Sequence, residues 1–142
     1  MRIGRNAFFV ILFVGLAFAC GTAVATAQGV MRTAGTLTIA LKSGESLEIS
    51  DLYFVKGCRS VLKGTPEVEI LEGPPGVTAS IKEAMVLPRW QNCSERVSGG
   101  KLILSAKEIE DPSFSRLTLR ITYKTKDGDR KHGEVINLQL VP

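Results

Sequence analysis

The chain has 142 residues, with 18 Lys and Arg against 14 Asp and Glu and a formal charge of +4. That length suits one domain around one core, and the near-balance of interspersed charges gives no concentrated basic face for nucleic acid. One histidine in the whole chain leaves little material for a histidine-based metal site or catalytic triad.

The N-terminus has the three parts of a secretory signal peptide. Arg2 and Arg5 give the basic start, Ala7 to Ala19 is uncharged and rich in Phe, Val, Ile and Leu, and Ala25-Thr26-Ala27 supplies an Ala-x-Ala cleavage site before Gln28. Ala23-Val24-Ala25 is a second possible site. Two rival readings are an uncleaved anchor, because Asn6 to Met31 carries no charge, and a lipid on Cys20. Lipoprotein signals usually place Leu three residues before the cysteine, where this chain has Ala17. The expected organisation is therefore residues 1–27 as signal peptide, 28–34 as a short N-terminal segment and 35–142 as the domain. The product would be periplasmic or secreted, with no stable membrane insertion after cleavage. Without Arg2 and Arg5, the 18 basic residues become 16 against 14 acidic, an ordinary solvated balance.

The expected elements are strands, because apolar and polar residues alternate in period two. Leu37, Ile39 and Leu41 open the series. Leu47 and Ile49 follow, leading into Leu52 to Val55. Val68 and Ile70 come next, then Val77, Ala79 and Ile81. Leu102, Leu104 and Ala106 make the fifth, Leu117 to Tyr123 the sixth, and Ile136, Leu138 and Leu140 the seventh. Turn residues separate them: Ser43-Gly44, Gly73-Pro74-Pro75-Gly76, Ser98-Gly99-Gly100, Asp111-Pro112 and the hairpin signal Asp127-Gly128. Helical signals are weak, with Ser105 to Asp111 good for one short turn. The fold class expected is all-β, a single sandwich of about seven strands.

Cys58 and Cys93 remain after the signal. An even count in an exported chain predicts a disulfide between them. No CxxC occurs, so a metal or redox site is set aside and no cofactor is expected. No GxxxxGK[ST] or GxGxxG is present, so no nucleotide cradle is expected. His132, in Asp129-Arg130-Lys131-His132-Gly133, reads as a solvated turn residue beside a hairpin. Glu108, Glu110 and Asp111 read as loop solvation rather than an acid–base pair.

Pro88 to Cys93 is the most distinctive segment. Trp90 is the only tryptophan, and Trp with Arg89 is the pairing enriched at binding hot spots. The expectation from average burial is the plainer one: Trp90 packs on the disulfide or seals the end of the sandwich. Arg59 and Arg96 flank the two cysteines as a candidate basic patch. Tyr53-Phe54-Val55 and Tyr123 read as core or strand-pairing residues.

The seven-strand pattern, the closing hairpin Leu117–Tyr123/Asp127-Gly128/Val135–Val141 and the signal segment resemble bacterial periplasmic proteins with an immunoglobulin-like sandwich. The resemblance covers most of residues 35–142 and rests on the strand pattern. It implies that fold and no functional residue. Immunoglobulin domains proper bridge two strands across the core, whereas Cys93 here precedes the fifth strand in a loop. The bridge is therefore expected to clamp a long connection. The leading functional expectation is a non-enzymatic exported module that binds a protein partner through its surface, loops or terminal edge strand. A structural or accessory subunit of an envelope assembly is the alternative, and an enzyme of unrecognised kind comes third. Oligomeric state is left open.

Overall fold

The computed structural model describes residues 30–33 and 36–142. The signal segment, its cleavage site and Cys20 lie outside the described residues. Among the described residues there are ten strands: β1 (Val30–Thr33), β2 (Thr36–Lys42), β3 (Ser46–Leu52), β4 (Val55–Lys56), β5 (Arg59–Ser60), β6 (Glu67–Glu72), β7 (Val77–Val86), β8 (Val97–Ala106), β9 (Ser113–Thr125) and β10 (Gly128–Val141). The domain is all-β.

Five strands form one sheet in the order β1-β2-β10-β9-β6, three form a second in the order β3-β8-β7, and β4 pairs with β5 as a small separate hairpin. Neighbours are antiparallel except β2 and β10, which run parallel with Leu37 opposite Ile136 and Leu41 opposite Leu140. The chain crosses between the two larger sheets after β2, again between β3 and β6, after β6 and after β8.

Period two explains why these segments are strands and where the core lies. Leu37, Ile39 and Leu41 of β2, Leu102, Leu104 and Ala106 of β8, Leu117, Leu119 and Ile121 of β9, and Ile136, Leu138 and Leu140 of β10 all fall into one buried cluster drawn from both sheets. Each fully buried Leu or Ile contributes about 1.5–3 kcal/mol relative to exposure. A one-residue slip of any strand would turn its whole set outward, so the core fixes register as well as stability. The other faces are mostly polar, with Phe114 of β9 and Val135 of β10 as exposed apolar exceptions, and charges pair across strands. Lys101 of β8 reaches Glu48 at 3.0 Å and Asp51 at 3.5 Å on β3, and these acids hold its ammonium above its ordinary pKa, the hydrogen bond to Glu48 being the larger cause. Arg120 meets Glu69, and Lys124 meets Glu67, between β9 and β6.

Several expectations change. Val30–Thr33, within the segment assigned to no element, pairs along β2. The run Leu52 to Val55 is not a continuous strand: β3 ends at Leu52, and Val55 begins the small hairpin. Ser98-Gly99-Gly100 is not a turn but the start of β8, paired with β7 on one side and reaching β3 on the other. Ser105 to Asp111 forms no helical turn; β8 runs to Ala106 and irregular chain follows. His132 lies within β10 opposite Ile121, exposed, rather than in a turn. The turn is the two-residue loop Lys126-Asp127, with Thr125 opposite Gly128. Gly73 to Gly76 does carry the chain from β6 to β7. There Gly76 has φ +80°, and a Cβ on it would stand 2.4 Å from the Lys107 carbonyl oxygen.

Candidate functional site

β9 and β10 span 13 and 14 residues, against 10 each for β7 and β8. Their hairpin runs past the end of the smaller sheet. On the core-facing side of β10, Ile136, Leu138 and Leu140 are buried, whereas Arg130 and His132, further along the same alternation, are exposed. The core-facing side of β9 continues in the same way from Ile121 to half-buried Tyr123. Cover at this end comes from the segment after β3 and from a 3-10 turn at Arg89–Gln91.

Two grooves result. One, of about 440 Å³, is lined by Tyr53, Phe54, Gln91, Tyr123, Arg130 and His132, together with Val55 and Lys131. The other, of about 370 Å³, is lined by Ile49, Ser50, Tyr53, Arg89, Trp90 and Tyr123 among others. Tyr53 and Tyr123 line both, so the grooves adjoin. Phe54 and Tyr123 pack with ring centroids 5.8 Å apart and planes tilted by 47°, an arrangement favourable for aromatic pairs. Ser50 Oγ is buried and has no hydrogen-bond partner among the described residues, although buried hydroxyls are nearly always satisfied.

The disulfide Cys58–Cys93, with Cα atoms 5.5 Å apart, ties the loop between β4 and β5 to the chain just after the 3-10 turn. It clamps a long connection, as the sequence suggested. Gln91 N–H donates to the Pro88 carbonyl at 3.1 Å and Asn92 N–H to the Arg89 carbonyl at 3.2 Å, and Asn92 closes the turn at φ 54°. Pro88 and Cys93 take the inward positions on either side of the turn. Trp90 is therefore left at the apex and is 91 % exposed. It neither packs on the bridge nor seals the domain end, which reverses the expectation drawn from average burial.

Of the four candidate partner-binding residues, the structure brings Arg89 and Trp90 together at a groove. Arg59 lies on β5, exposed, and lines neither groove. Arg96 donates to the Met85 carbonyl at 3.4 Å, tying the two ends of the β7–β8 connection. Sequence reasoning did not bring Arg130, Lys131 and His132 to this site. The signal available for Arg130 and His132 was their place on the alternation of β10, three and two steps before Ile136, whereas Lys131 falls on the opposite parity.

Tyr123 is the group here with a shifted proton affinity. Burial raises its pKa above 10.0, with the Glu134 charge and Tyr53 adding to it. The folded protein therefore keeps a phenol proton that the unfolded chain gives up. Stability from this group is complete below the ordinary value and is lost as pH rises through the higher folded value. Thermal melts from about pH 9 to about pH 11 are expected to show a fall in stability that Tyr123→Phe makes shallower. An equal fall in both proteins would contradict this.

Among the described residues no cluster of three or more His, Cys, Asp or Glu is placed to hold a metal ion, and no helix is long and apolar enough to cross a membrane. Comparison with protein-family models, with curated proteins and with solved structures gives no match.

Proposed function

We propose that this is an exported, non-enzymatic binding module, built on an immunoglobulin-like sandwich, that grips a protein segment at the disulfide-tied end of the domain. Support for the sandwich is the strand order. The sheet β2-β10-β9-β6 and the sheet β3-β8-β7 share a core, with the chain crossing repeatedly between them, as in Greek-key sandwiches. Support for export is the disulfide, which persists in oxidising compartments, together with the basic-apolar-small pattern of the N-terminus.

The observation that carries the binding reading is Trp90, the only tryptophan, held out at 91 % exposure on a turn fixed by a covalent bond. Trp and Arg are the residues most enriched at binding hot spots, and side chains held in place beforehand lose little entropy on binding. Tyr53, Phe54 and Tyr123 add apolar surface, and Arg89, Arg130 and Lys131 add positive charge. The unpaired Ser50 hydroxyl offers one polar contact within the same groove. A segment with an aliphatic or aromatic side chain beside a carboxylate fits this chemistry.

The test is cross-linking in the native envelope fraction, comparing the wild type with Trp90→Ala and Arg89→Ala. Trp90→Ala should change folding stability by no more than about 0.5 kcal/mol, as for exposed sites generally, yet remove a discrete cross-linked product. The same product at equal yield from the wild type and Trp90→Ala would overturn the reading.

A further inference from the structure

The first half of β10 has a neighbouring strand on one side only. β10 pairs with β9 along its whole length, but β2 begins at Thr36 and pairs with β10 only from Leu37 opposite Ile136. Among the described residues no strand flanks Gly128–Glu134 on that side. The Val141 carbonyl accepts from Ser43 N–H on the β2 side, so the odd-numbered residues of β10 turn their backbone groups that way. Asp129, Lys131 and Gly133 therefore direct N–H and C=O into an open lane, about 17 Å long at the rise of a strand. Such an edge is a template for pairing with another chain.

The charges beside the lane are unmatched as well. Lys101, Arg120 and Lys124 each have an acidic partner across strands, and Asp129 stands opposite Lys124. Arg130 and Lys131 stand opposite Tyr123 and Thr122 and, among the described residues, make no ion pair. No acidic side chain lines the groove that they share with His132, Tyr53, Phe54 and Tyr123. The lane closes where β2 begins. There a second cavity, of about 480 Å³, opens between Thr36 and Leu37 on one side and Gly133, Glu134 and Val135 on the other. That space lets one extended chain turn aside before it meets β2.

We propose that the partner's segment is an extended acidic peptide that adds to β10 as a single antiparallel strand opposite Asp129–Gly133. The proposal rests on the reading of the site as a peptide-binding one and says how the segment is held. Antiparallel pairing is the more stable per residue, and residues opposite Asp129, Lys131 and Gly133 exchange backbone hydrogen bonds with them. Directly opposite residues share a face of the sheet, so those opposite Arg130 and His132 project on the side of the groove. One carboxylate opposite Arg130 and the next opposite Lys131 meet the two unmatched cations, one on each face of the added strand. Main-chain bonds give this mode its affinity and the side chains give it selectivity. Tyr53 and Tyr123 also line the groove that holds Trp90, so the added strand and Trp90 belong to one surface.

The experiment is calorimetric titration of the purified protein with the capped synthetic peptide Val-Thr-Glu-Glu-Thr-Val. Binding is expected with a Kd below about 1 mM, and Val-Thr-Lys-Lys-Thr-Val should bind about tenfold more weakly or worse. Arg130→Glu with Lys131→Glu should invert that preference. The first Glu of the probe, opposite Lys131, turns its amide towards β10, and the second turns its amide away. N-methylation of the first should abolish binding and N-methylation of the second should leave it. Saturating peptide should slow hydrogen exchange at the amides of Lys131 and Gly133. These readings need no altered protein fold. Gly133→Pro removes an N–H that faces the lane and not β9, at a position where an added Cβ meets nothing within 4 Å. It should remove the native cross-linked product as Trp90→Ala does, with the fold intact by circular dichroism. No binding of the acidic peptide at about 1 mM, equal affinity for the lysine peptide, or equal affinity for the two N-methylated peptides would each overturn the proposal. A cross-linked product lost with Trp90→Ala but kept with Gly133→Pro would overturn strand addition and leave the reading of the site standing.

Discussion

Removing the disulfide by Cys58→Ala with Cys93→Ala is expected to lower the unfolding free energy by about 3–4 kcal/mol, the loop-closure value for cysteines 35 positions apart. The unfolded chain gains the freedom that the bridge denies it, while the native state loses its link between the β4–β5 loop and the turn that carries Trp90. Marginal stabilities are commonly 5–15 kcal/mol, so the loss takes a large share. Urea titration of the two proteins measures it through the midpoint and the slope. Coincident midpoints would show that the bridge does not restrain the unfolded chain. The same pair of proteins tests what the clamp does locally. Amides of Arg89 to Cys93 should exchange faster in the variant, beyond the global loss, because few backbone hydrogen bonds other than those within the turn hold this segment.

Gly99→Ala is expected to cost about 3 kcal/mol, the upper part of the range for forcing volume into a packed site. An added Cβ would stand 2.2 Å from the Leu52 carbonyl oxygen and 2.8 Å from Val86 Cγ2. A side-chain methyl can rotate away, but the carbonyl belongs to the end of β3. Relief requires parting β3 from β8, beside the Leu52–Gly100 pairing. Leu52 is itself buried in the core, so moving it disturbs packing as well as backbone. Thermal unfolding should show the loss directly. A Tm unchanged from wild type would mean that the two strands separate here at no cost.

Gly99 also shows where sequence reading stops. A Ser-Gly-Gly run has the composition of a turn, and local propensity gives no other answer. Here the glycines are required by the close approach of a neighbouring strand, a fact that depends on residues nearly fifty positions away. By contrast, the strands of the core were legible because burial on one face writes period two directly into the sequence. Leu117, Leu119 and Ile121 are buried as their alternation implied, and the all-β class follows the same local logic, while the Cys58–Cys93 pairing was legible from the cysteine count instead. Trp90 was misjudged because average burial describes a residue type and not a position. Its exposure is set by Pro88 and Cys93 taking the inward places around it. The groove was not legible as a unit. Tyr53, Trp90, Tyr123 and Arg130 come from four separate segments and meet only because one hairpin outruns the sheet opposite it.

The placement of β10 bears on how the domain comes to exist at all. β10, the last of the described strands in chain order, is the middle strand of the larger sheet, between β2 and β9. The β1–β2 hairpin thus has no neighbour to complete its sheet until a strand about 100 positions later is in place. Such non-local closure carries its entropy cost before any contact repays it, so folding is slow and concerted rather than sequential from the N-terminus. A chain emerging in order from a ribosome leaves this sheet incomplete until β10 itself is free. The apolar faces of β2 and β9 lie open through that interval, a window in which holding factors or proteases can act on every molecule made.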